Sequence, residues 1–206
     1  MSDRVAAWGF KLSAWLVIAL LFGILALLVK ESALAFKTVS LKEFLLGREW
    51  NPSGWQGSSY GTLPLLGSSL MVTAGAMAIA VPWGLLAAAF LSEVAGSRLR
   101  GFFKPVVELL ATVPSVVYGF LGIVLVGPWV ARLTGASSGL NALTASIILA
   151  VMILPTVISL ADDAMHAVPW SWREASRALG ATRWQTIWGV VFPAARPGIV
   201  AAVMLG

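Results

Sequence analysis

Few side chains in this sequence have types and spacing that could do chemistry, and three of them stand together. Asp162, Asp163 and His166 are residue types that bind divalent metal ions. They follow an apolar run at a spacing of one and three residues, so we interpret them as a solvated helix end rather than a metal site. The sequence has one histidine and no cysteine, which excludes a multi-histidine or thiolate metal centre.

Glu108 is the other candidate, because it is the only acid within the apolar runs described below. An ionisable residue inside a membrane segment is a functional hypothesis by default. However, Glu108 lies four residues after Lys104, in the first turn of a predicted span, where the helix dipole favours a carboxylate. We therefore favour a structural ion pair with the lysine. The sequence also lacks the G-x-x-x-x-G-K-[ST] loop that holds nucleotide phosphates, so we expect no bound cofactor and no enzymatic activity.

The elements that must position these residues are membrane helices. Hydrophobic residues make up 59% of the chain and charged residues 11%, whereas soluble domains have roughly 25% charged residues. This composition predicts an all-α, polytopic bundle embedded in a lipid bilayer. The net charge of +5 is therefore attributed to basic residues that set the membrane topology, and we expect no nucleic-acid partner.

Four apolar runs are long enough to cross a bilayer, which takes about 20 residues. A fifth run begins at Gly198 and is cut at Gly206, so we expect the sequence to be a fragment that is incomplete at the C-terminus. The four complete runs are Leu12–Val29, Leu63–Leu91, Val106–Val130 and Leu143–Ala161.

Prolines interrupt the third and fourth runs. A proline frees a backbone carbonyl, which neighbouring hydroxyl groups can satisfy or which can line a passage. Both a transport pathway and a packing kink remain open for these positions, which are Pro114, Ser115, Tyr118, Pro155 and Thr156.

The basic residues predict that the N-terminus is cytoplasmic, since this orientation places nine of them inside and five outside. We divide the chain into an N-terminal span with an external loop, 1–61, and a transmembrane domain, 62–206, with a cytoplasmic loop at 162–197. A signal peptide cleaved near Ala33-Leu34-Ala35 is an alternative for the first run. Its 18-residue apolar core exceeds the roughly 7–15 residues of signal peptides, so we favour an uncleaved span.

A polar segment between two apolar runs predicts two short helices joined at Gly180. Ser171-x-x-Glu174 and Thr182-x-x-Gln185 both have capping-box spacing. Pro193 is expected to stop the second helix.

The first of these helices has two distinct faces in the prediction. Trp172, Ala175 and Leu179 form an apolar stripe. Arg173 and Arg177 lie four residues apart on another face, where they could meet acidic groups of a partner. The alternative is a loop that lies on the membrane surface, anchored by its tryptophans.

The same segment resembles the EAA loop of ABC-importer permeases, whose pattern is E-A-A, three residues, G, nine residues and I-x-L-P. Here it reads Glu174-Ala175-Ser176, then Gly180, then Val190-Val191-Phe192-Pro193. The resemblance implies a loop that docks onto ATPase subunits. Its residues are Ser171, Trp172, Arg173, Glu174, Ala175, Arg177, Leu179, Gly180, Ala181, Thr182 and Pro193.

Three longer segments resemble the PstC-type permease of bacterial phosphate importers, and they are Trp50–Leu70, Glu108–Ile123 and Arg173–Pro193. The resemblance implies a type I ABC-importer permease fold (MetI-like) in the bacterial inner membrane. It also implies a sister permease subunit, two ATPase subunits that use ATP, and a periplasmic phosphate-binding protein. The R-A-x-G-E-T segment of the family, linked to transport, falls beyond Gly206.

Two alternatives to phosphate import remain open at this point. The EAA loop is shared widely, so the chain could be an ABC permease for another oxyanion or small solute. From a different class, it could be an ion-coupled secondary transporter, which would require ionisable residues near the membrane midplane. The apolar runs contain no such residue apart from Glu108.

Overall fold

The computed structural model describes residues 2–37, 39–55 and 57–206, and divides them into two compact units, 1–67 and 68–206. The first unit contains α1 (Ser2–Ala35), α2 (Leu41–Leu46) and the antiparallel strands β1 (Trp50–Asn51) and β2 (Ser59–Tyr60). Gly47 and Gly61 pack backbone against backbone, so closely that a Cβ on Gly61 would lie 2.3 Å from Gly47 and a Cβ on Gly47 would lie 2.6 Å from Gly61. This contact closes the loop that precedes the next helix.

The second unit is an all-α bundle. α3 (Leu63–Ala89) begins in the first unit and runs into a π-helical turn at Phe90–Val94. Two further π turns follow, at Gly122–Val126 and Ile187–Val191. The remaining helices are α4 (Ser97–Ala111), α5 (Ser115–Leu121), α6 (Gly127–Thr134), α7 (Ala142–His166), α8 (Trp170–Ala178), α9 (Arg183–Thr186) and α10 (Phe192–Leu205).

Within the described residues, five helical segments are long and apolar enough to cross a membrane. They confirm the predicted polytopic α-helical class. We number them as spans one to five: Ala7–Ala35, Leu63–Val94, Ser115–Thr134, Ala142–His166 and Arg183–Leu205.

The prediction of a single third span at Val106–Val130 is wrong. Thr112 and Val113 end α4, and the chain is extended at Pro114 before α5 begins. Proline has no N–H to continue the hydrogen-bond ladder, and its ring disfavours helical geometry at the preceding residue. The residues from Val106 to Ala111 therefore belong to α4, an amphipathic helix, and span three starts at Ser115.

The prediction that Pro193 stops the second docking helix is also wrong. Helical structure continues from Arg183 to Leu205 through the π turn at Ile187–Val191. In this turn the N–H of Phe192 donates to the carbonyl of Ile187, one residue wider than in an α-helix. The wider turn accommodates the proline, whose ring would otherwise meet the carbonyl four residues earlier.

Small residues form the core between the helices, as membrane bundles require. Ala76, Ala80 and Ala150 make one buried cluster, and Ala88, Ala161, Met165 and Val191 belong to a second. A Cβ on Gly84 would lie 2.8 Å from Val157 Cγ1, so α3 approaches α7 more closely than any larger residue permits. This close packing holds α3 against α7, and the polar loop follows the end of α7.

Candidate docking site at the end of the bundle

The turn between α8 and α9 is held by backbone geometry that needs a glycine. Gly180 has φ of 84°, a left-handed conformation that glycine adopts without steric cost. Its N–H donates to Arg177 O at 2.9 Å, and the N–H of Ala181 donates to Ser176 O at 3.2 Å. This is the Schellman pattern of helix ends. It confirms that Gly180 ends the first docking helix.

The second docking helix begins with the predicted capping box. Thr182 Oγ1 accepts from Gln185 N, and Gln185 Oε1 accepts from Thr182 N. Across the turn, the hydroxyl groups of Ser176 and Thr186 lie 3.0 Å apart. The two helices are thereby fixed at one angle.

The other capping box, Ser171 with Glu174, does not form, and that prediction is wrong. Pro169 is the N-cap of α8 and makes no side-chain cap. Because the backbone of Pro169 is extended and α8 starts at Trp170, Ser171 already lies inside the helix. Glu174 is exposed and is not a cap.

The apolar stripe of α8 faces outward. Trp172 is 52% exposed and Leu179 is 90% exposed, and Ala175 between them is exposed as well. Arg177 is exposed as well, and its guanidinium lies 5.3 Å from the centre of the Trp170 ring. We call these exposed residues at α8, namely Trp172, Glu174, Ala175, Arg177 and Leu179, the outer face.

Arg173 does not belong to the outer face, and the prediction that it meets a partner's acids is wrong. Its side chain is 3% exposed and pairs with Glu93. The Arg173 Nη2 to Glu93 Oε1 distance is 2.5 Å, and Nε lies 3.1 Å from both carboxylate oxygens. Two more N–H groups donate to Val168 O and Met165 O. Helical periodicity turns Arg173 toward the bundle, where Glu93 compensates its charge.

Sequence reasoning missed Glu93. Its side chain is 3% exposed within the π turn that ends span two. A signal was present, because Glu93 follows the long apolar run directly and a buried carboxylate there requires a cationic partner. The partner lies 80 residues away in sequence, which a single sequence does not reveal.

The interpretation of Asp162, Asp163 and His166 as a solvated helix end is confirmed for Asp163 and His166, which are exposed at the end of α7, and is wrong for Asp162. Asp162 is 1% exposed and its Oδ2 accepts from Arg100 at 2.9 Å and Lys104 at 3.2 Å. Lys104 also pairs with Asp163, and Arg100 contacts the ring of His166. Basic side chains of α4 therefore pair with these groups. The described residues contain no group of three or more His, Cys, Asp or Glu side chains that could hold a metal ion.

The pKa of Lys104 reflects this cluster. Partial burial lowers the pKa of the ammonium group, but hydrogen bonds to Asp163 and Asp162 and the two negative charges outweigh that effect. The pKa of Lys104 is consequently raised above its ordinary value of 10.5. Lys104 stays charged and ties α4 to α7.

The predicted ion pair between Lys104 and Glu108 does not form. Lys104 forms its ion pairs with the aspartates of α7, and Glu108 is exposed in the last turns of α4 rather than in the first turn of a span. The break at Pro114 explains the difference, because it assigns Glu108 to α4.

The candidate pathway residues separate into two groups. Tyr118 donates its hydroxyl to Leu110 O at 3.0 Å, and the same carbonyl also accepts from Val113 N at 3.2 Å. Tyr118 therefore adds a side-chain bond across the break between α4 and α5. Ser115, Asn141 and Thr144 line a cavity of about 590 Å³. The described residues that line this cavity include no charged side chain. Pro155 is buried within continuous α7 and Thr156 is half-buried beside it.

A family model described as the binding-protein-dependent transport system inner membrane component matches residues 80–206. The probable ABC transporter permease protein YqgH of Bacillus subtilis is 45% identical over 82% of this chain and 54% of its own length. The phosphate transport system permease proteins PstC of Pasteurella multocida and Mesorhizobium japonicum are each 32% identical, over 92% and 100% of this chain. They are covered to 64% and 67%, so the chain spans about half to two thirds of these relatives.

One solved structure supports the fold. The inward-facing MetNI methionine ABC transporter matches with a TM-score of 0.53 and 23% identity, over 70% of this chain and 65% of that chain. At this identity the match concerns the fold alone, and it confirms the MetI-like arrangement of helices.

Proposed function

This chain belongs to the family of binding-protein-dependent transport system inner membrane components as a PstC-type permease, and we propose that it is the membrane subunit of an ATP-driven phosphate importer. The observation that carries the proposal is the helix pair α8–α9. Its internal contacts are satisfied by Arg173, Gly180 and Thr182. Its outer face is left exposed for a partner.

The outer face suits docking into a groove of an ATPase subunit. Trp172 and Leu179 offer apolar area, and Arg177 and Glu174 add exposed groups of opposite charge. Tryptophan and arginine are the residue types that dominate binding energy at protein interfaces. ATP is then bound and hydrolysed by two such subunits and not by this chain.

The proposal includes the rest of the importer. In this arrangement the N-terminus and α8–α9 are cytoplasmic, in accordance with the excess of basic residues assigned to that side. A sister permease completes the membrane part, and a periplasmic binding protein delivers phosphate. Movement of α8–α9 by the ATPases would rock the spans between outward-open and inward-open states.

The phosphate assignment is supported by the names of the PstC relatives, which the chain matches over nearly its whole length. A second candidate is a permease for another oxyanion. It is favoured by YqgH, the relative with 45% identity, whose name gives no substrate. The family membership disfavours the ion-coupled secondary transporter considered from the sequence.

The test is uptake of radiolabelled phosphate by cells that lack their own phosphate importers and express the complete gene with its partner subunits. We expect uptake that excess unlabelled phosphate abolishes and excess sulfate or molybdate does not. The double variant Arg177→Glu, Gly180→Val should reduce uptake to the level of cells without the gene. Arg98→Ala, on the exposed side of α4, is the matched control and should keep it.

Two results would contradict the proposal. Competition by sulfate or molybdate that equals competition by phosphate would favour the oxyanion alternative. Unchanged uptake in the Arg177 and Gly180 double variant would show that α8–α9 is not the docking element.

A further inference from the structure

We propose that Glu93 and Arg173 form the link that transmits movement of the docking helices to span two. This inference rests on the proposed function, because it assumes that a partner moves α8. It goes further by assigning one ion pair, outside the exposed docking surface, as a positioning element of the transport cycle.

One guanidinium group joins three parts of the bundle. Arg173 belongs to α8, Glu93 belongs to the π turn that ends span two, and Met165 and Val168 belong to the end of span four and the loop after it. The two-point contact between a planar guanidinium and a carboxylate fixes distance and angle together. A displacement of α8 in any direction therefore acts on Glu93.

The position of Arg173 in α8 makes it the inward attachment of this helix. Within α8, which is described in full, Arg173 is the only buried residue. Its neighbours Trp172 and Glu174 are both exposed. A force that a partner applies to the outer face is thus transmitted to the bundle through this side chain, through the backbone on either side of α8 and through the contact between Ser176 and Thr186.

The docking helices are connected to two π turns, one through the Arg173–Glu93 pair and one through the chain that follows α9. Glu93 lies inside the π turn of span two, and α9 continues directly into the π turn at Ile187–Val191 of span five. Residues of both turns, Phe90, Val94 and Ile187, line one small apolar groove with Trp188. A π turn contains one residue more than the α-helical ladder accommodates, and such turns recur at functional positions of helices. The two turns are the places where spans two and five can bend when α8 is displaced.

The test uses the full-length protein in its complete importer, reconstituted in proteoliposomes. The sequence has no cysteine, so a single Leu86→Cys gives one thiol in span two, at a side chain that is 46% exposed. A maleimide reagent measures its labelling rate with and without ATP and vanadate. We expect a nucleotide-dependent change in rate in the otherwise native chain, and loss of that change in Glu93→Gln and in Arg173→Lys. The double variant should match the single ones, because each breaks the same link.

The matched controls are Glu108→Gln and Arg98→Lys, which make the same chemical changes at exposed positions of α4. Both should keep the nucleotide-dependent change. Copurification of the ATPase subunits and their rate of ATP hydrolysis are measured in parallel. In Arg173→Lys we expect both to persist, whereas the transport ratio, which is the amount of phosphate transported per ATP hydrolysed, should fall. A residue with a merely structural role would instead lower assembly and leave that ratio unchanged in the complexes that remain.

Three results would overturn the link. The first is a nucleotide-dependent change in labelling rate that persists in the Glu93 and Arg173 variants. The second is the absence of this change in the native chain. The third is a loss of copurification in the variants while the phosphate transported per ATP stays unchanged. In each case the docking function stands if ATPase subunits copurify with the native chain. Failure of copurification would instead contradict the proposed function together with the link.

Discussion

At the scale of single residues, the direction in which a charged side chain points determines its role in this protein. Arg173 and Arg177 lie one helical turn apart, yet one is buried against Glu93 and the other lies on the exposed surface over Trp170. Removing one member of a buried ion pair costs about 3–5 kcal/mol, whereas an exposed pair contributes about 0–1 kcal/mol. Substitutions at these two arginines therefore probe different properties, namely anchoring of α8 and recognition of a partner.

Lys104 gives a residue-scale prediction on pH. Its pKa is raised in the folded protein, since the hydrogen bonds and charges of Asp163 and Asp162 outweigh the effect of partial burial. The stabilisation by Lys104 is therefore fully present below the unfolded pKa of 10.5 and is lost as pH rises through the higher folded pKa. We expect the thermal unfolding temperature of the purified protein to fall over this alkaline range, and Lys104→Gln to show a smaller fall.

Lys11, in the first unit, provides the comparison for that measurement. Lys11→Gln removes the same type of charge from a residue of the first unit that is not a member of the cluster formed by α4 and α7. Lys11→Gln should show the same decrease in thermal unfolding temperature at alkaline pH as the native protein. An equal fall in Lys104→Gln and the native protein would contradict the assignment.

At the scale of elements, close approach of helices replaces a large apolar core. Gly84 of α3 faces Val157 of α7, and a Cβ there would lie 2.8 Å from Val157 Cγ1 and 3.3 Å from its Cβ. Gly84→Ala should therefore destabilise the bundle by about 1–3 kcal/mol, the usual cost of overpacking. Adding Val157→Ala removes the clashing methyl groups, so the double variant should recover part of this loss. Thermal unfolding in detergent measures both.

Gly67 is the control for this prediction, since a Cβ on it would meet no atom within 4 Å. Gly67→Ala should leave the unfolding temperature unchanged or raise it, because alanine favours helix. A Gly84→Ala protein as stable as the native one would show that α3 and α7 can separate at no cost.

At the scale of the whole molecule, the membrane topology is the property from which the functional argument starts. The proposed orientation has the N-terminus inside, and it predicts that Leu179 at the end of α8 is cytoplasmic and that Ser53 between β1 and β2 is periplasmic. Both side chains are exposed. In the cysteine-free sequence, we expect Ser53→Cys to react with an impermeant maleimide in spheroplasts, and Leu179→Cys only after permeabilisation. The reverse pattern would place the docking helices on the outer side.

Sequence patterns predicted the helical class, the positions of spans one, two and four, and the glycine turn at Gly180, because apolar length and glycine chemistry are local properties. They failed where one residue's environment depends on distant partners. Asp162 and Arg173 look like surface charges in the sequence, and become buried only because Arg100, Lys104 and Glu93 approach from other helices. The extent of span five and the break at Pro114 were missed for a different reason, since each depends on how the backbone accommodates a proline.

The π turn at Phe90–Val94 has a consequence for the evolution of such chains. It is one residue longer than an α-helical turn, so it rotates the following residues by about 100° relative to the helix before it. Deletion of a single codon here would restore regular α-helix, keep the apolar length of span two and swing Glu93 away from Arg173. A gain or loss of one codon at this turn would thus make or break the Glu93–Arg173 pair without altering any residue of the outer face.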